Sequence, residues 1–216
     1  KYAMKVLSAT WYSTIRSRPL RQVVYSRCLT VLILHAFMDV ACGETQDAHV
    51  EDIVFTAAND STQQRYVLMF PRVFDEAQPH DLLIALHGHG ADRWQFIRDM
   101  RDECRAARDV AAAHNMLLVA PDYRARTSCM GPQAEADVVQ IIDDLKKKYR
   151  VARVFLCGGS MGGTASLTFA ALHPDTIDGV AAMNATANLI EYSGFNDVIS
   201  ASFGGSKNAV PDEYKK

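Results

Sequence analysis

The chain has 216 residues, of which 49% are hydrophobic and 22% charged, the make-up of one soluble domain long enough to bury a real core. Its net charge of −2 hides an asymmetry: residues 1–38 hold six basic residues and no acid, which leaves 17 basic against 25 acidic residues, or −8, in the rest. An acidic body argues against nucleic acid as a partner, and the chain has no repeat and no low-complexity run.

Arg16 to Arg27 is a basic flank, and Cys28 to Met38 is an apolar run of eleven residues that includes His35. A membrane span needs about 20 residues. The run therefore predicts the apolar core of a secretory signal peptide. Ala41-Cys42-Gly43 supplies small residues where a signal peptidase reads, with cleavage before Glu44. A buried helix or strand of the fold is the alternative, but the order basic, apolar, small favours export. Cys42 raises a lipoprotein reading, which Asp39 disfavours because an apolar residue is expected there. Residues 1–43 thus read as a leader and 44–216 as the body. The product is expected in the periplasm or outside the cell, with no membrane contact beyond the export signal. The chain opens on Lys1 rather than Met, so its natural N-terminus is expected upstream.

Behind the leader stand Cys104, Cys129 and Cys157, an odd count that makes no disulfide framework. Cys157 ends an apolar strand and reads as a buried free thiol. Sequence leaves a Cys104–Cys129 bridge open.

In the body, Asp52–Thr56 and Arg65–Phe70 read as two strands with turn chemistry at Asn59-Asp60-Ser61 between them, hence an antiparallel hairpin. Leu82 to Leu86 is a continuous apolar run, as in a strand buried on both faces. It ends in His87-Gly88-His89-Gly90. Trp94 to Asn115 predicts one helix with the stripe Phe96, Met100, Cys104, Ala107 and Ala111. Met116–Ala120 is a second buried strand, closed by Pro121-Asp122-Tyr123-Arg124. Ala134 to Tyr149 predicts a helix with Val138, Ile141, Ile142, Leu145 and Tyr149 on one face. Its acids stand at the start and its lysines at the end, as the helix dipole prefers.

Val154-Phe155-Leu156 then leads into Cys157-Gly158-Gly159-Ser160-Met161-Gly162-Gly163 and an apolar helix to Leu172, with a further strand at Gly179–Asn184. Strand alternating with helix predicts an α/β fold, a mostly parallel sheet with helices on both faces. Its ligands bind beyond the C-terminal strand ends. The loops His87–Gly90, Asp122–Met130 and the Ser160 turn meet there.

Gly158-Gly159-Ser160-Met161-Gly162 fits G-x-S-x-G between strand and helix, the pattern of a nucleophile elbow. Side chains two residues either side of the apex would collide, which explains Gly158 and Gly162. Ser160 is the candidate nucleophile. The oxyanion hole is expected from the Met161 N–H and from an N–H among Gly88, His89 and Gly90. A glycine-rich turn without chemistry is the bland alternative, and the flanking strand and helix outweigh it. His87 and His89 also suggest a metal, but no Cys/His cluster supplies further ligands, so no metal and no cofactor are expected.

The base is harder to find. His173 is the one histidine after Ser160, and thirteen residues along the same helix put it roughly 20 Å away. It reads as a helix end. His114 falls on the wrong side of the sheet, and His89 is near enough to substitute as the base but sits on the oxyanion loop. Asp122 reads as a turn cap rather than a triad acid.

Leu86-His87-Gly88-His89-Gly90, Ala120-Pro121-Asp122-Tyr123-Arg124, Ala134-Glu135-Ala136-Asp137 and Gly158 to Gly163 together resemble the α/β-hydrolase superfamily, in its esterase and prolyl-oligopeptidase-like branch. The resemblance covers about residues 50 to 216. It implies the chain order nucleophile, acid, histidine. The sequence stops 56 residues after Ser160, so the resemblance implies that the acid, the base and the last strands lie beyond Lys216. It also implies a serine hydrolase, foremost an exported esterase acting through an acyl-enzyme on a small or polymer-linked carboxylic ester. A peptidase of the prolyl-oligopeptidase type is the alternative within this chemistry; the propeller usual in that type finds no room here. A protein that binds without turnover is the alternative outside it.

Overall fold

The computed structural model describes residues 48–124 and 126–215. The leader expected over residues 1–43 lies outside them. β1 (Val50–Thr56) and β2 (Gln63–Met69) form the expected hairpin, with Val50 opposite Met69 and Thr56 opposite Gln63. Asp60 shapes its turn by accepting from the Thr62 N–H at 3.1 Å and the Thr62 hydroxyl at 2.7 Å. β2 also runs antiparallel to β4 (Leu117–Pro121). From β4 onward the sheet is parallel, through β3 (His80–Leu86), β5 (Val151–Gly159) and β6 (Gly179–Met183). The strand order is β1-β2-β4-β3-β5-β6.

The period of two along β3 divides the core. Leu82, Ile84 and Leu86 face one layer with Val138, Ile142, Ala165 and Phe169. Leu83 and Ala85 face the other, with Phe96, Cys104, Ala111 and Cys157. The first layer holds α3 (Pro132–Lys148) and α4 (Met161–Leu172), and the second α1 (Gln95–Arg98) and α2 (Asp102–Ala113). Helices therefore cover both faces, as alternating strands and helices require.

One expected helix is two. The run Trp94–Asn115 breaks at Asp99, whose backbone is extended at φ −67°, ψ 137°. The Asp99 carboxylate accepts from the Arg101 N–H at 2.9 Å and from the Arg101 guanidinium at 2.6 Å. That local bond competes with the helical ladder. Met100 falls in the break and is 73% exposed, while Phe96, Cys104, Ala107 and Ala111 stay buried. The helix α5 (Asn196–Phe203) carries no strong period and was not expected.

All three described cysteines are free and buried. Cys104 and Cys129 belong to opposite core layers, so the bridge left open by the sequence does not form. Burial pushes the Cys104 and Cys129 thiols up to about 11 and the Cys157 thiol up to about 12.

Arg124 ties the first hairpin to α3. Its guanidinium donates to Asp60 at 2.6 Å, Asn59 at 2.8 Å and Asp137 at 2.7 Å. Asp137 is 1% exposed, and burial raises its carboxyl above the usual range against the pull of Arg124. Arg124→Leu strands that carboxylate, and the expected loss at neutral pH is about 3–5 kcal/mol. Urea unfolding checks it. The loss should shrink at acid pH, where Asp137 takes a proton, and Arg124→Leu with Asp137→Leu should recover most of it.

Candidate active site

β5 stays in the sheet as far as Gly159, and α4 begins at Met161, so Ser160 must turn the chain by itself. It does so at φ 55°, ψ −119°, outside the regions a non-glycine residue prefers. Its N–H donates to the Met183 carbonyl at 2.9 Å, and its carbonyl accepts the Thr164 N–H at 3.0 Å. The side chain is exposed at the strand end. A Cβ on Gly158 would overlap the Gly162 carbonyl, and one on Gly162 would overlap the carbonyl oxygen of Leu86. The two glycines permit backbone contacts that any side chain would prevent.

The His-Gly loop beside it is held from beneath. His87 is buried, with Nδ1 2.9 Å from the Gly88 carbonyl and Nε2 3.2 Å from the Asp122 carbonyl. The Tyr123 hydroxyl donates to the His87 carbonyl at 2.6 Å. Burial holds the Tyr123 phenol well above its ordinary range, so it remains a donor. The Gly88 N–H donates to Gln95 Oε1 at 2.7 Å, and the Gly90 N–H to the Arg126 carbonyl at 2.8 Å. Two of the three loop residues expected to supply an oxyanion donor therefore have their N–H groups engaged. The N–H groups of His89 and Met161 have no hydrogen-bond partner among the described residues.

The remaining candidates are occupied elsewhere. Asp122 caps a turn: it accepts from the Arg93 N–H and from Arg93 Nη1, both at 2.9 Å. His173 closes α4, pairs with Glu135 at 2.9 Å and lies against Phe169. His114 ends α2. No histidine among the described residues is hydrogen-bonded to Ser160 Oγ. No group of three His, Cys, Asp or Glu side chains among them could hold a metal ion.

Two cavities open beside Ser160. One of about 300 Å³ is walled by Met161, Leu189, Tyr192, Phe195 and Ile199. Another of about 620 Å³ is walled by Gln95, Arg101, Glu103 and the His-Gly loop. Sequence reasoning missed Gln95, Tyr192, Phe195 and Asn184. Tyr123 stood in a recognised motif but had no role. None of these has a spacing signal: Gln95 comes from α1, Tyr123 from the loop after β4, and Asn184, Tyr192 and Phe195 from the one segment between β6 and α5, which carries no motif.

Residues 81–212, more than half the chain, match the model of the alpha/beta hydrolase fold. The chain belongs to that family. No curated protein matches this alpha/beta hydrolase. Among solved structures it is similar to FphF, a fluorophosphonate-binding serine hydrolase of Staphylococcus aureus, at 18% identity and TM-score 0.59, over 73% of this chain and 66% of that one. It is also similar to a ferulic acid esterase of Anaeromyces mucronatus, at 17% identity and TM-score 0.53, over 66% of this chain and 60% of that one. An S-formylglutathione hydrolase of Staphylococcus aureus matches at 18% identity and TM-score 0.52, over 68% and 66%. The chain thus spans 60% to 66% of the length of these three proteins. At such identity the likeness shows the shared fold.

Burial lowers the His87 imidazole below its ordinary value of 6.5. The folded protein keeps His87 neutral where the unfolded chain would protonate it. Stability is therefore expected to fall as pH drops from about 6.5 through the lowered value. His87→Gln should flatten that part of the profile, read as urea midpoints at several pH values.

Proposed function

We propose that this alpha/beta hydrolase is a serine esterase that cleaves carboxylic esters through an acyl-enzyme at Ser160. The observation that carries the reading is the Ser160 backbone at φ 55°, ψ −119°, on a turn whose flanking glycines admit no Cβ. Such strain persists only where the surrounding structure enforces it, and here it presents a hydroxyl at the strand end. The names of two similar structures, a ferulic acid esterase and an S-formylglutathione hydrolase, support the same class.

In this reading a base takes the Ser160 proton as Oγ attacks the ester carbonyl carbon. The carbonyl oxygen becomes an oxyanion and accepts hydrogen bonds from the His89 and Met161 N–H groups. Collapse expels the alcohol, which receives the proton. Water then attacks the acyl-enzyme by the same route in reverse. Gln95 and Arg126 engage the Gly88 and Gly90 N–H groups, which leaves the His89 N–H as the loop's donor in this reading. His89 is the described histidine that shares both cavity walls with Ser160.

A second reading, binding without turnover, draws on the absence of any imidazole hydrogen-bonded to Ser160 Oγ among the described residues. An unassisted serine hydroxyl is a weak nucleophile. Oxyanion donors alone sustain roughly 10³–10⁴ over the uncatalysed rate in a serine protease stripped of its triad. Fluorophosphonate labelling and hydrolysis of a short-chain aryl ester separate the two. The esterase reading expects labelling at Ser160 and its loss in Ser160→Ala. Labelling that persists in Ser160→Ala sinks the assignment.

Export belongs to the same proposal and rests on the basic-then-apolar order of residues 16–43. Expression in a secreting host should yield a mature N-terminus near Glu44. An intact leader on folded cytosolic protein overturns it.

A further inference from the structure

Ser160, His89 and Asn184 are the residues that line both cavities. A substrate that fills the two cavities must place its scissile bond where these three side chains meet. We propose that Asn184 binds the substrate at that junction: its side-chain amide hydrogen-bonds the group beside the scissile ester, with the acyl and alcohol parts of the ester divided between the two cavities. The proposal rests on the esterase reading of Ser160.

Position carries the first part. Asn184 directly follows β6, whose last residue, Met183, accepts the Ser160 N–H at 2.9 Å. One peptide unit therefore fixes Asn184 relative to the nucleophile. Its backbone stands at φ 49°. Asn184 is exposed and its amide makes no hydrogen bond to protein among the described residues, so it is open to a ligand; the wall behind it is paired, with Thr164 Oγ1 accepting the Thr186 N–H at 2.9 Å. An Asn amide offers both a donor and an acceptor. It can therefore meet an ester oxygen or a neighbouring hydroxyl.

Cavity chemistry carries the second part. The smaller cavity sets Leu189, Phe195 and Ile199 beside Thr164, Thr186 and Tyr192, so it holds apolar surface and hydrogen-bonding groups together, and at its edge the exposed Phe195 ring lies 5.0 Å from that of His89. The larger cavity, with Gln95, Arg101 and Glu103, offers donors and acceptors to a hydroxyl-bearing alcohol.

The competing explanation is conformational. Asn is one of the few non-glycine residues at ease at positive φ, and a turn after β6 could need nothing more. Asn184→Gly separates the two roles, because it keeps the backbone freedom and removes the amide. The probe is the benzoyl amide of aminopropanediol, which keeps a planar acyl group and resists hydrolysis. Calorimetry on the full chain should show the benzoyl amide binding to the unmodified protein. Asn184→Gly should weaken the benzoyl amide about five- to tenfold with an unchanged melting temperature. Asn184→Asp, which also tolerates positive φ, should weaken it by a similar factor.

Equal binding by Asn184→Gly reduces Asn184 to a turn residue and overturns the proposal. So does the absence of benzoyl amide binding to the unmodified protein. Fluorophosphonate labelling of the same preparations is the independent readout. If Ser160 labels normally and the binding pattern fails, the Asn184 assignment alone falls. If Ser160 does not label, the esterase reading falls, and the calorimetry still decides what Asn184 binds.

Discussion

The contact on which the site depends is backbone against backbone. Gly162, in the first turn of α4, lies so close to the Leu86 carbonyl at the end of β3 that a Cβ would overlap it. β3 and β5 are parallel neighbours, with Leu86 beside Gly158. The close approach therefore locks the start of α4 to the start of the His-Gly loop. It sets Ser160 and Met161 on one side of the site and His89 on the other, without a flexible side chain between them.

Around this contact the loops are tied by groups with little freedom. Tyr123 and Gln95 are each aimed at one backbone atom of the His-Gly loop. Arg93 binds Asp52 of β1 and Asp122 of the loop after β4 through paired bonds of 2.9 Å. A guanidinium presents its donors in a fixed plane, so the two bonds to Asp52 set orientation as well as distance, while on Asp122 the Arg93 backbone N–H joins Nη1. Arg93 lowers the Asp52 carboxyl below its ordinary value. Arg124 repeats the device from the hairpin turn to α3. These ties hold the two long loops at the strand ends, where an α/β sheet places its ligand.

The most legible part of the chain was the most local. Continuous apolar runs at Leu82–Leu86 and Met116–Ala120 became the central strands, and the stripe from Val138 to Tyr149 became the buried face of α3. The helix expected through Met100 failed because Asp99 offers its own side chain to the Arg101 N–H, which a periodicity count cannot register. The unanticipated α5 begins after Phe195 in a left-handed conformation, with no Ser, Thr, Asp or Asn cap in place to announce it.

By itself the sequence determined the elbow. Glycines two residues either side of Ser160, between an apolar strand and an apolar helix, answer a steric demand that acts within a few residues. It also determined the sheet class, because strand and helix periods are local properties. The tertiary structure alone decided which loop N–H groups are free. Gly88 loses its own to Gln95 and Gly90 to Arg126, partners that the sequence does not mark. It alone put Asn184 beside Ser160, Cys104 and Cys129 in separate layers, and His173 against Glu135. Each of these depends on where distant backbone segments cross, and a crossing leaves no period or spacing for a sequence to show.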